Sequence, residues 1–169
     1  DENNGPTGTS IFDPVLTECM YRWFVPPKGL ILDPFAGGSV RGIVASCLGF
    51  RYVGVDLRPE QVAANRVQAA RICQPDSMPV WHVADAVDIG KIELPDEADG
   101  ILGCPPYGDL EVYSDNPRDL STMEHKLFCD TYAYIIGQVC ARLKQNRFAV
   151  FVVGDFRDKK TGLYRNFPM

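Results

Sequence analysis

Short apolar runs alternate with helix-like segments along nearly the whole chain, and this alternation limits the possible folds more than any other feature. Five runs predict strands, in the stretches LILDPFAGGS, RYVGVD, MPVWHVAD, ADGILGCPPY and RFAVFVVGDF. Their apolar residues are consecutive rather than alternating with polar ones, which is typical of strands buried on both faces of a sheet. With right-handed crossovers, the pattern predicts an α/β fold with a doubly wound, mostly parallel, Rossmann-like sheet.

The overall properties of the chain favour one soluble domain inside a cell. Its 169 residues suffice for a single domain, residues 1–169, with residues 1–10 as a polar, flexible lead-in. No apolar run approaches the roughly 18 residues of a membrane helix. The six cysteines form no CxxC pair and the histidines number two, so we expect reduced thiols, a cytoplasmic location and no metal site.

The first predicted strand runs into a glycine turn, DPFAGGS. Gly37 and Gly38 would let the backbone approach a ligand closely, whereas Asp33 can hold the turn or meet a cationic group. The spacing is not G-x-G-x-x-G, so the turn does not predict a dinucleotide pyrophosphate site. A simple turn without a ligand remains the alternative.

Two further strands end in acids, at the sheet edge where doubly wound folds bind ligands. Asp56 is placed to accept both hydroxyls of a ribose, although it could instead cap the helix that begins near Pro59. Asp85 could accept from an adenine amino group, or could be a solvated loop acid. Together these residues predict a nucleoside site without a phosphate cradle, which suits S-adenosylmethionine (SAM).

Two motifs give the chain a family resemblance. DPFAGGS resembles the cofactor loop of amino-group DNA methyltransferases, usually Asp-Pro-Phe-x-Gly-Ser-Gly, and CPPY resembles their catalytic tetrapeptide, usually Asp, Asn or Ser followed by Pro-Pro-Tyr. The stretch TSIFDPVLTECMYRWF is similar to the segment that helps to hold the methionine carboxylate of the cofactor. Longer stretches resemble phage and prophage DNA modification methylases, and the similarity extends from about Thr9 to Phe167.

The resemblance implies a SAM-dependent DNA methyltransferase that modifies N6 of adenine or N4 of cytosine and releases S-adenosylhomocysteine. The implied catalytic residues are Cys104, Pro105, Pro106 and Tyr107. The implied cofactor-binding residues come from the lead-in, the glycine turn and two strand ends: Thr9, Ser10, Phe12, Asp33, Pro34, Phe35, Ala36, Gly37, Gly38, Ser39, Asp56, Leu57, Asp85 and Ala86.

In this mechanism, which the resemblance implies, the Cys104 side chain and the Pro105 carbonyl accept from the target amino group while Tyr107 stacks on a flipped base. A thiol is a weaker acceptor than the residues usual at position 104. In cytosine-5 methyltransferases the nucleophilic cysteine follows the proline, whereas Cys104 precedes two prolines, so covalent catalysis is disfavoured. A buried cysteine with no chemical role remains open.

The resemblance also implies DNA as the partner. Basic residues near the C-terminus are suited to phosphate contacts, although a solvated charged face is the alternative reading; they are Arg157, Lys159, Lys160 and Arg165. RNA or a protein glutamine amide as the acceptor, or a SAM-binding module without turnover, stay open. Relatives usually finish with a further helix and an antiparallel hairpin, so a C-terminal truncation is expected. The polar SDNPRDLS stretch is predicted to be mobile without substrate.

Overall fold

The computed structural model describes residues 11–106, 113–154, 156–157 and 162–165. In this part of the chain five strands form one sheet in the order β3-β2-β1-β4-β5, and every neighbouring pair is parallel. The strands are β1 (Leu30–Asp33), β2 (Arg51–Asp56), β3 (Val80–Val83), β4 (Ala98–Gly103) and β5 (Leu143–Phe151). Two short strands, β6 (Phe156–Arg157) and β7 (Tyr164–Arg165), pair antiparallel with each other. The order and direction confirm the predicted Rossmann-like fold.

Within the described residues, four α-helices accompany the sheet, and all but the first, which precedes β1, lie between consecutive parallel strands. They are α1 (Pro14–Phe24), α2 (Val40–Cys47), α3 (Pro59–Ile72) and α4 (His125–Cys140), with short 3₁₀ helices at Pro75–Ser77, Ala86–Lys91 and Leu120–Thr122. Helix α1 begins as predicted, because the Asp13 carboxylate accepts from the backbone N–H groups of Val15 at 2.7 Å and Leu16 at 2.9 Å. Gly49, with φ +78°, follows α2 in the left-handed conformation expected of a helix-ending glycine.

The sheet is covered on both faces. Buried residues of α1, α2 and α3 pack with Ile31, Tyr52 and Trp81 on one face. On the other face Ile89 and Val139, from a 3₁₀ helix and α4, pack with Leu32 and other strand residues. Because both faces are buried, β1 and β4 consist of buried residues throughout. This burial explains why their sequences are nearly continuous apolar runs.

Asp99 ties three strands together at the amino ends of the sheet. Its carboxylate accepts from the backbone N–H of Leu30 and from Nζ of Lys144, both at 2.9 Å. Burial by itself would raise the pKa of Asp99, but these hydrogen bonds and the nearby cations outweigh it, so the pKa lies below its usual range. The ionised carboxylate therefore contributes stability above the unfolded pKa, and this contribution is lost as the pH falls through the folded pKa.

Asp99→Asn is accordingly expected to lower the free energy of unfolding by about 2 kcal/mol at neutral pH, since it removes a charged acceptor of buried hydrogen bonds. The deficit should shrink below about pH 4, where the wild-type carboxyl also becomes protonated. Urea titrations at several pH values measure both effects. Asp96→Asn is the control, because the Arg51–Asp96 ion pair is half-exposed and should contribute little. An equal loss of unfolding free energy at pH 3 and pH 7 would contradict the stabilising role of the ionised Asp99 carboxylate.

Candidate active site

A cavity of about 410 Å³ lies at the carboxyl ends of the parallel strands. It brings together most residues that the sequence predicted: Phe12, Pro34, Phe35, Gly37, Gly38, Ser39, Asp56, Leu57, Asp85 and Ala86, with Cys104 and Pro106 of the tetrapeptide. Asp33, Ala36 and Pro105 do not line it. Thr9, Ser10 and Tyr107 fall outside the described residues. The cofactor loop and the tetrapeptide thus face one shared cavity.

The glycine turn is held at Gly37 from two sides. Gly37 has φ +49°, a conformation that glycine adopts without steric cost. The carboxylate of Asp56 accepts from its N–H at 2.9 Å, and Nδ2 of Asn65 donates to its carbonyl at 2.7 Å. The N–H of Ala36 donates to the carbonyl of Val55 at 2.9 Å. The turn is therefore fixed before any ligand binds.

Asp56 stands at the end of β2 with its carboxylate mostly buried. One oxygen accepts from Gly37 and the other from the backbone N–H of Arg58 at 2.9 Å. Burial raises the pKa of Asp56, and the hydrogen bonds from Arg58 and Gly37 offset only part of that effect. The alternative role as the cap of α3 is not realised, because Arg58 occupies the N-cap position. Each carboxylate oxygen keeps a lone pair for a ligand hydroxyl.

Asp33, which the resemblance implied to be a cofactor-binding residue, does not line the cavity. It is fully buried beneath the turn and pairs with Arg41, whose Nε lies 2.7 Å from a carboxylate oxygen. The hydroxyl of Tyr52 donates to the same oxygen at 2.8 Å, and the N–H of Phe35 donates to the other at 3.0 Å. Asp33 therefore holds the turn and meets a cation, the two roles that its place in the sequence allowed.

Asp85 caps the 3₁₀ helix Ala86–Lys91, since its side chain accepts from the N–H of Val87 at 3.0 Å. It also lines the cavity, so it is not simply a solvated loop acid. Arg58, another lining residue, lies over the ring of Tyr113 with 5.8 Å between the guanidinium carbon and the ring centroid. Tyr113 lines the same cavity.

The SDNPRDLS stretch, predicted to be mobile, is internally hydrogen-bonded. The buried carboxylate of Asp119 accepts from the N–H and the hydroxyl of Ser121 at 2.9 and 2.7 Å, and from the hydroxyl of Ser114 at 2.8 Å. Asp119 thereby caps the 3₁₀ helix Leu120–Thr122, in which the stretch ends. Arg118, Asp119 and Leu120 form part of the cavity wall.

The tetrapeptide begins directly after β4. Cys104 is half-buried and Pro106 lines the cavity, while Pro105 is buried. Tyr132 of α4 lies close to Cys104, and burial first, then this thiol, raises the pKa of Tyr132 above its usual range. The ring of Tyr132 also packs against Phe35 at a centroid distance of 6.0 Å. The two predicted motifs are thus supported by a common aromatic cluster.

Several lining residues were missed by the sequence reasoning. One group is a row of amides on α3, Gln61, Asn65 and Gln68, which face the turn and are linked by a Gln61–Asn65 hydrogen bond and a Ser39–Gln68 contact. Their spacing of four and three residues was the available signal, but a polar helical row usually indicates a solvated face. The other missed lining residues are Ile11, Val40, Arg41, Val55, Arg58, Ala64, Ala84, Tyr113, Arg118, Asp119, Leu120 and Ile135.

Two of the four proposed nucleic-acid contacts lie outside the described part of the chain. Lys159 and Lys160 are not described, while Arg157 and Arg165 belong to β6 and β7. Among the residues that the structure describes, no cluster of three metal-ligating side chains occurs. Within those same residues, no helix has the length and hydropathy that a membrane span requires.

Comparisons with known proteins bear on the fold. No family profile matches the chain, and no curated protein sequence does either. Solved structures do match: TrmN from Thermus thermophilus has a TM-score of 0.66 and 20% identity over 84% of this chain, which spans 38% of TrmN. An rRNA methylase from Streptococcus thermophilus has a TM-score of 0.58 and 7% identity over 86% of this chain and 74% of its own.

A further match is magnesium protoporphyrin IX methyltransferase (ChlM) from Synechocystis PCC 6803 with bound SAM, with a TM-score of 0.55 and 12% identity over 87% of this chain and 60% of its own. At these identities the similarity concerns the fold. The chain has the Rossmann-like fold of SAM-dependent methyltransferases, as the sequence predicted.

Proposed function

We propose that the protein is a SAM-dependent methyltransferase that modifies the exocyclic amino group of a nucleic-acid base, N6 of adenine or N4 of cytosine, in DNA. One observation carries the proposal: the glycine turn, Asp56 and Asp85 line the same cavity as Cys104 and Pro106. A cofactor at the first group and an acceptor at the second would meet in one cavity. Such proximity is what a direct transfer between two bound molecules requires.

The residues of the cavity fit SAM. Asp56 offers acceptors for ribose hydroxyls, and Asp85 lies at the end of the next strand, where an adenine amino group could donate to it. The Gly37 N–H is already bonded to Asp56, so the turn offers no free phosphate cradle at this point. The SAM found in the similar ChlM structure supports this choice of cofactor.

When bound, SAM supplies a methyl group activated by a sulfonium. The chain's own residues would position the acceptor. The Cys104 side chain and the Pro105 carbonyl would accept the amino hydrogens and so align the nitrogen lone pair, while Pro106 helps to exclude water from the wall of the cavity. Tyr107 would stack on the flipped base. Arg157, Lys159, Lys160 and Arg165 would contact phosphates.

The direct test is transfer of a labelled methyl group from SAM to DNA, RNA and protein, followed by digestion of the modified product. N6-methyladenine or N4-methylcytosine in DNA is the expected result. SAM binding without transfer to any acceptor would overturn the enzymatic proposal and leave a binding module.

RNA is the second candidate acceptor, favoured by the similarity to a structure described as an rRNA methylase. The chemistry at the amino nitrogen would be the same. The two candidates differ in the product, because the methylated nucleoside would carry a ribose rather than a deoxyribose.

Cys104→Ser distinguishes direct transfer from covalent catalysis. A hydroxyl is a better hydrogen-bond acceptor than a thiol, so direct transfer predicts an unchanged kcat or one raised by up to about tenfold. A covalent mechanism predicts that turnover is abolished. Single-turnover assays on the variant measure the difference, with Cys47→Ser as a control on an exposed cysteine outside the cavity wall.

A further inference from the structure

Arg41 is a buried cation whose guanidinium reaches the cavity wall. The residue is 4% exposed. Its Nε donates to Asp33 at 2.7 Å, and its Nη2 donates to the carbonyls of Phe35 at 2.5 Å and Ala36 at 3.1 Å. For Nη1, in contrast, the described residues provide no acceptor within hydrogen-bond distance. Since Arg41 lines the cavity, this nitrogen is left for a ligand.

The surroundings keep the guanidinium charged and fixed. Burial alone would lower the pKa of Arg41, but the Asp33 carboxylate and its hydrogen bond more than offset this, and the pKa lies above its usual range. The Phe12 ring covers one face, 4.6 Å from the guanidinium carbon. A cation held in this way needs no rearrangement to bind an anion.

The chemistry of the cavity favours a carboxylate over a phosphate as that anion. The Gly37 N–H, which would otherwise point towards a phosphate, is taken by Asp56, and the turn lacks the G-x-G-x-x-G spacing. Arg41 offers the cavity a single guanidinium nitrogen, which suits a small monoanion. Ser39 and Val40, which flank Arg41 in the chain, line the cavity with it.

We propose that Nη1 of Arg41 binds the carboxylate of the amino-acid tail of SAM, and that Asp33 and Phe12 position the guanidinium for this contact. The proposal rests on the proposed function and deepens it. It assigns tail recognition to helix α2, whereas the sequence resemblance had pointed only to the stretch from Thr9 to Phe24, ahead of β1.

Calorimetry of the unmodified chain with two ligands gives the first test. Decarboxylated SAM keeps the adenosine, the sulfonium and the amine but lacks the carboxylate. Because a hydrogen bond between charged groups is lost, it is expected to bind about 10- to 100-fold more weakly than SAM. Equal affinity would overturn the proposal while leaving SAM as the cofactor. Failure to bind either ligand would overturn the proposed function and this proposal with it.

The double variant Asp33→Asn with Arg41→Met assigns the contact to Arg41 without leaving an unpaired buried charge. We expect its SAM affinity to fall about 10- to 100-fold and its affinity for decarboxylated SAM to change less than about threefold. An equal fall in affinity for both ligands would mean that Arg41 acts only through the loop. An unchanged SAM affinity would mean that Arg41 does not contact the cofactor. Either outcome overturns the proposal.

Tyr52→Phe is the matched control, since Tyr52 bonds to the same Asp33 carboxylate but does not line the cavity. It should leave the ratio of the two affinities as in the wild type. If the double variant does not fold, Arg41→Lys replaces it: a shorter cation that still pairs with Asp33 should reduce the preference for SAM over decarboxylated SAM. An unchanged preference in this variant would overturn the proposal.

Discussion

Arg41→Met is expected to lower the free energy of unfolding by about 3–5 kcal/mol, because it leaves the Asp33 carboxylate buried without its cation. Asp33 is fully buried and the Arg41 side chain is 5% exposed, so water cannot replace the lost partner. The same change removes the donors to the Phe35 and Ala36 carbonyls. Urea denaturation followed by far-UV circular dichroism measures the loss.

Two variants separate the charge effect from general damage to the loop. Combining Arg41→Met with Asp33→Asn removes both charges and should recover more than half of the lost stability. Tyr52→Phe deletes one hydrogen bond to Asp33 and should cost only about 1 kcal/mol. The buried-pair explanation would be wrong if the double variant were no more stable than Arg41→Met alone.

The fold was largely predictable because its strands are buried on both faces. The apolar runs of β1, β2 and β4 identified parallel strands, and Asp13 with Pro14 identified the start of α1. The start of β5 was not predictable: the strand begins at Leu143, four residues before the predicted stretch. Polar residues occupy this part, Asn146 has φ +57°, and the pairing with β4 shifts register there.

The site was predictable only where residues follow directly on strand ends. Parallel strands bring their carboxyl ends to one edge, which placed Asp56, Asp85 and Cys104 correctly around one cavity. Side-chain direction was not predictable in the same way. Asp33 bonds to Arg41 and Tyr52, from two other elements, and does not line the cavity. Asn65 supports the glycine turn through a hydrogen bond to the carbonyl of Gly37, which lies 28 residues earlier in the sequence.

Asp56→Ala is expected to weaken SAM binding about 100-fold or more. The substitution removes a charged acceptor for two ribose hydroxyls, each hydrogen bond being worth about 1.5–3 kcal/mol. It also frees the N–H of Gly37 and so loosens the turn. Calorimetric titration with SAM measures the change. Glu60→Ala is the control, an exposed acid on α3 that does not line the cavity, and should leave the affinity unchanged.

The pH dependence of SAM binding separates the charge of Asp56 from its structural role. Only the ionised carboxylate can accept from both hydroxyls, so affinity should fall as the pH drops through the Asp56 pKa. Burial raises that pKa. The loss of affinity should therefore begin at a higher pH than it would for an exposed aspartate, whose pKa is about 3.9. Asp56→Asn keeps one acceptor and cannot titrate. The variant should bind SAM more weakly at neutral pH, and its affinity should not fall further as the pH drops. If the variant loses affinity over the same pH range as the wild type, another group is responsible for the titration and Asp56 does not bind the ribose as a carboxylate.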